Sequence, residues 1–219
     1  MLDVLGGSMP YNIDRMAYLT AALSSHEYAR EHMQAAPRFG NRTELLAYAV
    51  SQVTIEGMVA EFGVAAGHTL NLLSQHMPDR KCYGFDSFKG LPEQWTEGTP
   101  AGHFAVEQLP QLPANVELVV GWFDRTLPEF VDSHTDNVAL LHIDCDLYSS
   151  TQTVFAKLRK RIVPGTIIVF DEYFNYPNWQ RHEHKAFMEW VAQDHVIFEY
   201  IGLVPQYEHV AARILKCEV

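Results

Sequence analysis

At 219 residues, 47% of them hydrophobic and 20% charged, the chain is long enough for one domain with a small extension and too apolar to be disordered throughout. Twenty-seven acidic against sixteen basic residues give a formal charge of −11. That balance argues against a nucleic-acid partner and against an anionic membrane surface, since both want clustered Lys and Arg. Cys82, Cys145 and Cys217 are odd in number and widely spaced, without C-x-x-C. They argue against a disulfide framework or structural zinc and fit a reducing cytoplasm. The stretch Met1–Ser8 has no basic leader, and no apolar run nears the ~18 residues that span a bilayer, so a soluble cytoplasmic protein without a signal peptide is expected.

In chain order, residues 13–33 read as a helix with Met16, Leu19, Ala22 and Leu23 at helical spacing, expected to be core. A second helix starts near Asn41, where Asn41 or Thr43 can cap it and Leu45, Leu46, Ala49 and Val50 form one apolar stripe. From residue 57 short apolar runs alternate with helical segments. The runs are 58–62, 82–85, 116–120, 138–143 and 166–170, and the helix candidates are 68–76, 149–162 and 178–193. Such runs predict parallel strands buried on both faces and joined by right-handed crossovers. Residues 196–201 and 210–215 then follow without room for a helix and predict an antiparallel closing pair. The expected architecture is α/β, a doubly wound Rossmann-like sheet over residues 56–219 with a helical N-terminal extension over 1–55.

The first strand runs into Glu61-Phe62-Gly63-Val64-Ala65-Ala66-Gly67-His68-Thr69, where small residues keep the turn tight and let a ligand approach the main chain. Asp86, nineteen residues after Gly67 at the end of the second strand, is placed to accept hydrogen bonds from ribose hydroxyls. A tight connection and a solvated Asp would explain the same residues without a ligand. The turn is not G-x-G-x-x-G, and no Lys-Ser/Thr pair makes a P-loop. Glu61 would repel a pyrophosphate and suits a cationic ligand better, which leans towards S-adenosylmethionine.

Two further strands end in acids: Asp144 and Asp146 after the fourth, Asp171 and Glu172 after the fifth. Strand C-termini of a parallel sheet share one edge, so neighbouring strands would bring these four carboxylates together. Uncompensated, they would raise one another's pKa and destabilise the fold. A hard divalent cation (Mg²⁺, Ca²⁺ or Mn²⁺) resolves this, leaving one carboxylate as general base. A helix cap is the competing reading for Asp146.

The blocks Glu61–Gly67, Gly84-Phe85-Asp86-Ser87-Phe88-Lys89-Gly90-Leu91-Pro92, Gly121-Trp122-Phe123 with Leu127-Pro128, Ile143-Asp144-Cys145-Asp146-Leu147-Tyr148 and Asp171-Glu172-Tyr173 together resemble the macrocin O-methyltransferase type of class I S-adenosylmethionine-dependent methyltransferases. The resemblance spans roughly residues 42–190. It implies a seven-stranded sheet whose last strand is antiparallel, and a metal-dependent enzyme that methylates a sugar hydroxyl or another vicinal diol. It also implies roles: Glu61, Gly63, Gly67 and Asp86 towards the cofactor and Gly121, Trp122 and Phe123 near its adenine, to which we add Thr69, Ser87, Phe88 and Asp144. Asp144, Asp171 and Glu172 would hold Mg²⁺, and Asp146 would be the catalytic base. Glu172 departs from the family pattern, which commonly has Asp there.

The expected partner is a small-molecule hydroxyl acceptor, and the assembly is left open, a homodimer included. Trp179, Arg181 and His182 are candidates for the acceptor pocket; His182 and His184 face different ways on a helix and make a poor metal pair. His142 reads as a packed strand residue. Two alternatives are a metal-dependent phosphoester hydrolase, which leaves the glycine turn and Asp86 unexplained, and a non-catalytic nucleoside-binding module, which leaves the acids idle.

Overall fold

The computed structural model describes residues 12–218; the leaderless segment expected at the N-terminus lies outside the described residues. Two helices, α1 (Ile13–His32) and α2 (Arg42–Ser51), precede an alternation of β1 (Met58–Phe62), α3 (His68–His76), β2 (Cys82–Asp86), β3 (Val116–Val120), α4 (Phe123–Ser133), β4 (Val138–Ile143), α5 (Tyr148–Leu158), β5 (Ile162–Phe170), α6 (Glu183–Gln193), β6 (Ile197–Leu203) and β7 (Val210–Lys216). The seven strands form one sheet in the order β3-β2-β1-β4-β5-β7-β6. β1 to β5 are mutually parallel, and β7 runs antiparallel between β5 and β6. Strand order reverses between β1 and β4, and a crevice opens there at the carboxyl ends, where ligands bind in such sheets.

The pattern of apolar residues explains the centre of this sheet. β1 and β4 are buried along their whole length, as continuous β-branched and aliphatic runs require. β3 is an edge strand, and Val120 is half exposed, so burial on both faces does not hold there. Helix α4 was not foreseen: Pro128 inside it removes a main-chain donor and reads as a breaker, yet Leu127 and Phe130 anchor the helix in the core. The helix expected over 149–162 stops at Leu158, and β5 begins four residues later at Ile162. The helix expected over 178–193 is broken at His182 (φ −111°, ψ −126°) into a 3₁₀ turn, Trp179–Arg181, and α6.

The N-terminal helices correct another expectation. Asn41 caps α2 by accepting from the Glu44 N–H, and Leu45, Leu46 and Ala49 are buried against α3 and strands β5–β7. On α1, however, Met16 and Leu23 face solvent, and the buried face is Ala21, Ser25, Ala29 and Met33. Small residues one turn apart let α1 approach closely enough for Ser25 Oγ to accept from the Asn175 N–H (2.8 Å) and Ser24 Oγ from Trp179 Nε1 (3.1 Å). Polar contacts outweigh the larger apolar side chains in choosing the face.

Beside α1 lies an aromatic cluster in which Tyr28, Tyr173 and Trp179 pack edge-on or tilted around His184, with centroids 4.7–5.1 Å away. Burial, with a smaller push from His32, holds the His184 imidazole down at about 4. It is neutral when folded, whereas an unfolded chain protonates it below about 6.5. Its contribution is therefore whole above that pH and is lost as pH falls towards 4. We expect wild type to lose about 1–2 kcal/mol more stability than His184→Phe between about pH 7 and about pH 5. Urea titrations at both pH values measure this, and equal losses in the two proteins would contradict it.

Candidate active site

The crevice is a cavity of about 680 Å³, walled by the glycine turn after β1, the end of β2, the start of α4, the β4–α5 and β5–α6 loops, and Arg42 at the start of α2. Gly63 (φ 93°) makes its floor possible. Any Cβ there would overlap the Asp144 carbonyl oxygen, so β1 and β4 approach this closely only because the position is glycine. Asp86 folds the same turn: Oδ2 accepts from the N–H groups of Val64 and Ala65 (both 2.8 Å), and Oδ1 from Phe88 (2.7 Å).

Of the residues expected to meet a cofactor, the structure brings Gly63, Asp86, Ser87, Trp122, Phe123 and Asp144 to the cavity wall. The others stand behind it. Glu61 is fully buried on β1, its Oε2 2.8 Å from His142 Nδ1, so it does not face a ligand across the cavity as expected. Gly67 caps α3 (φ 78°) against the side chains of Pro110 and Leu112. Thr69 is buried in the first turn of α3. Phe88 is core, and Gly121 donates its N–H to the Asp86 carbonyl. Each of these shapes the wall from the second layer. Trp179, Arg181 and His182 also lie outside the wall: Trp179 is core, and His182 packs on Trp95 and Tyr176.

The acids do converge. Asp144, Asp146, Asp171 and Glu172 line the cavity floor, and Glu183, fully buried at the start of α6, accepts from the Glu172 N–H (3.2 Å) beneath it. Asp146 occupies the left-handed region (φ 61°), a strained conformation for a non-glycine residue that aims its carboxylate into the cavity. Burial, and after it Asp171, pushes Asp146 up to about 7. Burial and the neighbouring carboxylates push Asp144, Glu172 and Glu183 well above the usual carboxylate range.

Asp171 goes the other way. Burial alone would raise it, but His142 and His209 hold it below the usual range. His209 Nδ1 lies 3.1 Å from Asp171 Oδ1, His142 Nε2 lies 3.7 Å from the same oxygen, and Arg42 Nη1 donates to Oδ2 at 2.7 Å. His142 is wholly buried, which alone would lower its pKa; its contacts with Asp171 and Glu61 overcome burial and hold it up at about 10. His142 is thus tied into the acid cluster, with Nδ1 2.8 Å from Glu61 Oε2, rather than being plain packing.

Ligand atoms of His142, Asp144 and Asp171 fall within 4.8 Å of one another. Glu61 Oε1, Glu172 Oε2 and Glu183 Oε1 are buried without a hydrogen-bond partner among the described residues. Unpaired buried acceptors around such a gap fit a hard divalent cation bound through the carboxylate oxygens. Arg42, His209 and Glu183 were not singled out from the sequence; α2, the β6–β7 hairpin and α6 deliver them, and no local spacing marks them.

A doubly wound sheet with a glycine turn, an acid after β2 and a crevice at the strand reversal defines a Rossmann-like α/β fold. The chain belongs to the methyltransferase-domain family, which it matches over residues 60–173. It is 29% identical over 159 residues to the 8-demethyl-8-(2,3-dimethoxy-alpha-L-rhamnosyl)-tetracenomycin-C 4'-O-methyltransferase of Streptomyces olivaceus, covering 60% of each chain. It is 26% identical over 147 residues to the demethyldecarbamoylnovobiocin O-methyltransferase of Streptomyces niveus, covering 56% of this chain and 55% of that one. The alignments thus span less than two thirds of either relative. Among solved structures, the calicheamicin methyltransferase CalS11 superposes with a TM-score of 0.66 at 21% identity over 93% of both chains, a likeness of fold.

Gly63→Ala should lower stability by on the order of 3 kcal/mol, because the new methyl group must displace the Asp144 carbonyl from a left-handed position. Urea unfolding checks this; an unchanged midpoint would mean the β4 end retreats freely.

Proposed function

We propose that the chain transfers a methyl group from S-adenosylmethionine to a hydroxyl oxygen of a small molecule, a sugar or other vicinal diol of secondary metabolism, with a hard divalent cation such as Mg²⁺. The observation that carries this reading is the convergence of four acids from β4 and β5 on one end of a cavity whose other end is the glycine turn, Asp86 and Trp122–Phe123. Family membership supports methyl transfer, and the two Streptomyces relatives, named as O-methyltransferases, support oxygen as acceptor.

Gly63, Asp86 and Ser87 form the wall that would take the sugar of the adenosyl group, and Trp122 and Phe123 offer apolar surface to its base. Asp144, Asp171 and Glu172 would hold the cation, which when bound supplies positive charge that lowers the pKa of an acceptor hydroxyl. Asp146, strained into the cavity and raised towards neutrality, takes the hydroxyl proton as the oxygen attacks the methyl group. The hydrolase alternative uses the acids but leaves the glycine turn and its aromatic wall without a role.

Thermal-shift measurements should show stabilisation by S-adenosylmethionine and S-adenosylhomocysteine but not by NAD or ATP. Asp146→Asn should lower turnover about 10²–10⁴-fold while S-adenosylhomocysteine affinity holds. Near-normal turnover in that variant removes Asp146 as the base. Asp144→Ala should flatten the response of activity to Mg²⁺, and an unaltered Mg²⁺ titration rejects it as a ligand.

A further inference from the structure

Arg42 reaches the acid cluster from outside the sheet. It is the first residue of α2, directly after the Asn41 cap, and its side chain remains 39% exposed along its length. Its Nη1 lies 2.7 Å from Asp171 Oδ2 and 3.6 Å from Asp144 Oδ2, so one guanidinium nitrogen bridges the two carboxylates at the ends of β4 and β5. These are the carboxylates the proposed cation would need. A metal held by both and a guanidinium held by both would occupy overlapping space as like charges.

We propose that Arg42 is a built-in counter-ion that stands in for the divalent cation: it holds Asp144 and Asp171 together when no metal is bound and swings out into solvent when the metal enters. The inference rests on the metal reading of the previous section. Three features favour displacement over permanent replacement. Arg42 satisfies Asp171 Oδ2 but leaves Glu172 Oε2 unpaired, so the site keeps an acceptor that one guanidinium does not fill. The arginine is the first residue of α2 and its side chain is more than a third exposed, so it has solvent to move into. The other side chains on Asp171, His142 and His209, are carried by β4 and by the β6–β7 hairpin rather than by a helix terminus.

The test is metal affinity rather than activity. Calorimetric titration of Mg²⁺, with Mn²⁺ binding followed by electron paramagnetic resonance, should show Arg42→Gln binding at least about tenfold more tightly than wild type, since removing a like charge at this range in a half-buried site exceeds the interval of one affinity decade. Arg42→Lys, which keeps the charge, should stay closer to wild type. Metal-free Arg42→Gln should melt below wild type, and saturating Mg²⁺ should close the gap. In wild-type protein the Arg42 Nε–Hε resonance, assigned by its loss in Arg42→Lys, should shift on Mg²⁺ addition; this readout does not require Arg42→Gln to fold. Equal or weaker metal binding by Arg42→Gln, or an Arg42 resonance indifferent to Mg²⁺, overturns the proposal while leaving the metal-dependent reading intact. Failure of every variant to bind Mg²⁺ or Mn²⁺ overturns both.

Discussion

Three basic side chains from three distant parts of the chain meet on Asp171. Arg42 arrives from α2, His142 from the neighbouring strand β4, and His209 from the β6–β7 hairpin. The carboxylate is nearly buried, so its negative charge is tolerable only because these groups surround it. Breaking such an arrangement from one side leaves an uncompensated buried charge, at a cost of about 3–5 kcal/mol. The contact thereby fixes where the N-terminal helices and the C-terminal hairpin sit relative to the parallel sheet. It is a constraint of position before it is one of chemistry.

Everything at the cavity floor follows from that position and from one close main-chain approach. The absent Cβ of Gly63 lets the chain leaving β4 pass over the end of β1. β4 therefore releases Asp144 and Asp146 directly above the sheet edge, and the turn between them closes tightly, with the Leu147 N–H donating to the Cys145 carbonyl at 2.6 Å. The left-handed conformation of Asp146 is the local consequence. Strain of this kind persists only where surrounding contacts over-determine it, and here the buried Leu147 and α5 behind it supply them.

Much of this was legible in the sequence where period and spacing are local signals. The buried runs of β1 and β4, the glycine turn, Asp86 and the two acid pairs could be read because their residue types recur at fixed short separations and a parallel sheet places every strand end on one edge. Helix α4 was hidden by Pro128, whose lost hydrogen bond is offset by burial of Leu127 and Phe130, a tertiary effect. The face of α1 was misread because Ala21, Ser25 and Ala29 carry no apolar signal yet allow close approach. Arg42 and His209 join the site from 129 residues before Asp171 and 38 after it, Glu183 joins from behind the wall, and nothing near them in the sequence marks them. Glu61 shows the converse: its spacing is right for a cofactor contact, but a buried partner, His142, claims its carboxylate.

The same geometry explains why an acid-rich site need not unfold the protein. Glu61, Asp144, Asp146, Asp171, Glu172 and Glu183 are six carboxylates around one strand reversal, against at most three positive charges from Arg42, His142 and His209. The deficit is borne by the groups without a cationic partner. Glu183, which stands behind the cavity wall, is raised by burial and by its acidic neighbours and accepts from the Glu172 N–H. A protonated carboxyl can donate as well as accept, so Glu183 tolerates burial in a way that a carboxylate could not. The site thus combines a charged pole at Asp171 with a protonatable group, Glu183, behind Glu172. Asp146 lies between them, its carboxyl near the midpoint of titration at neutral pH.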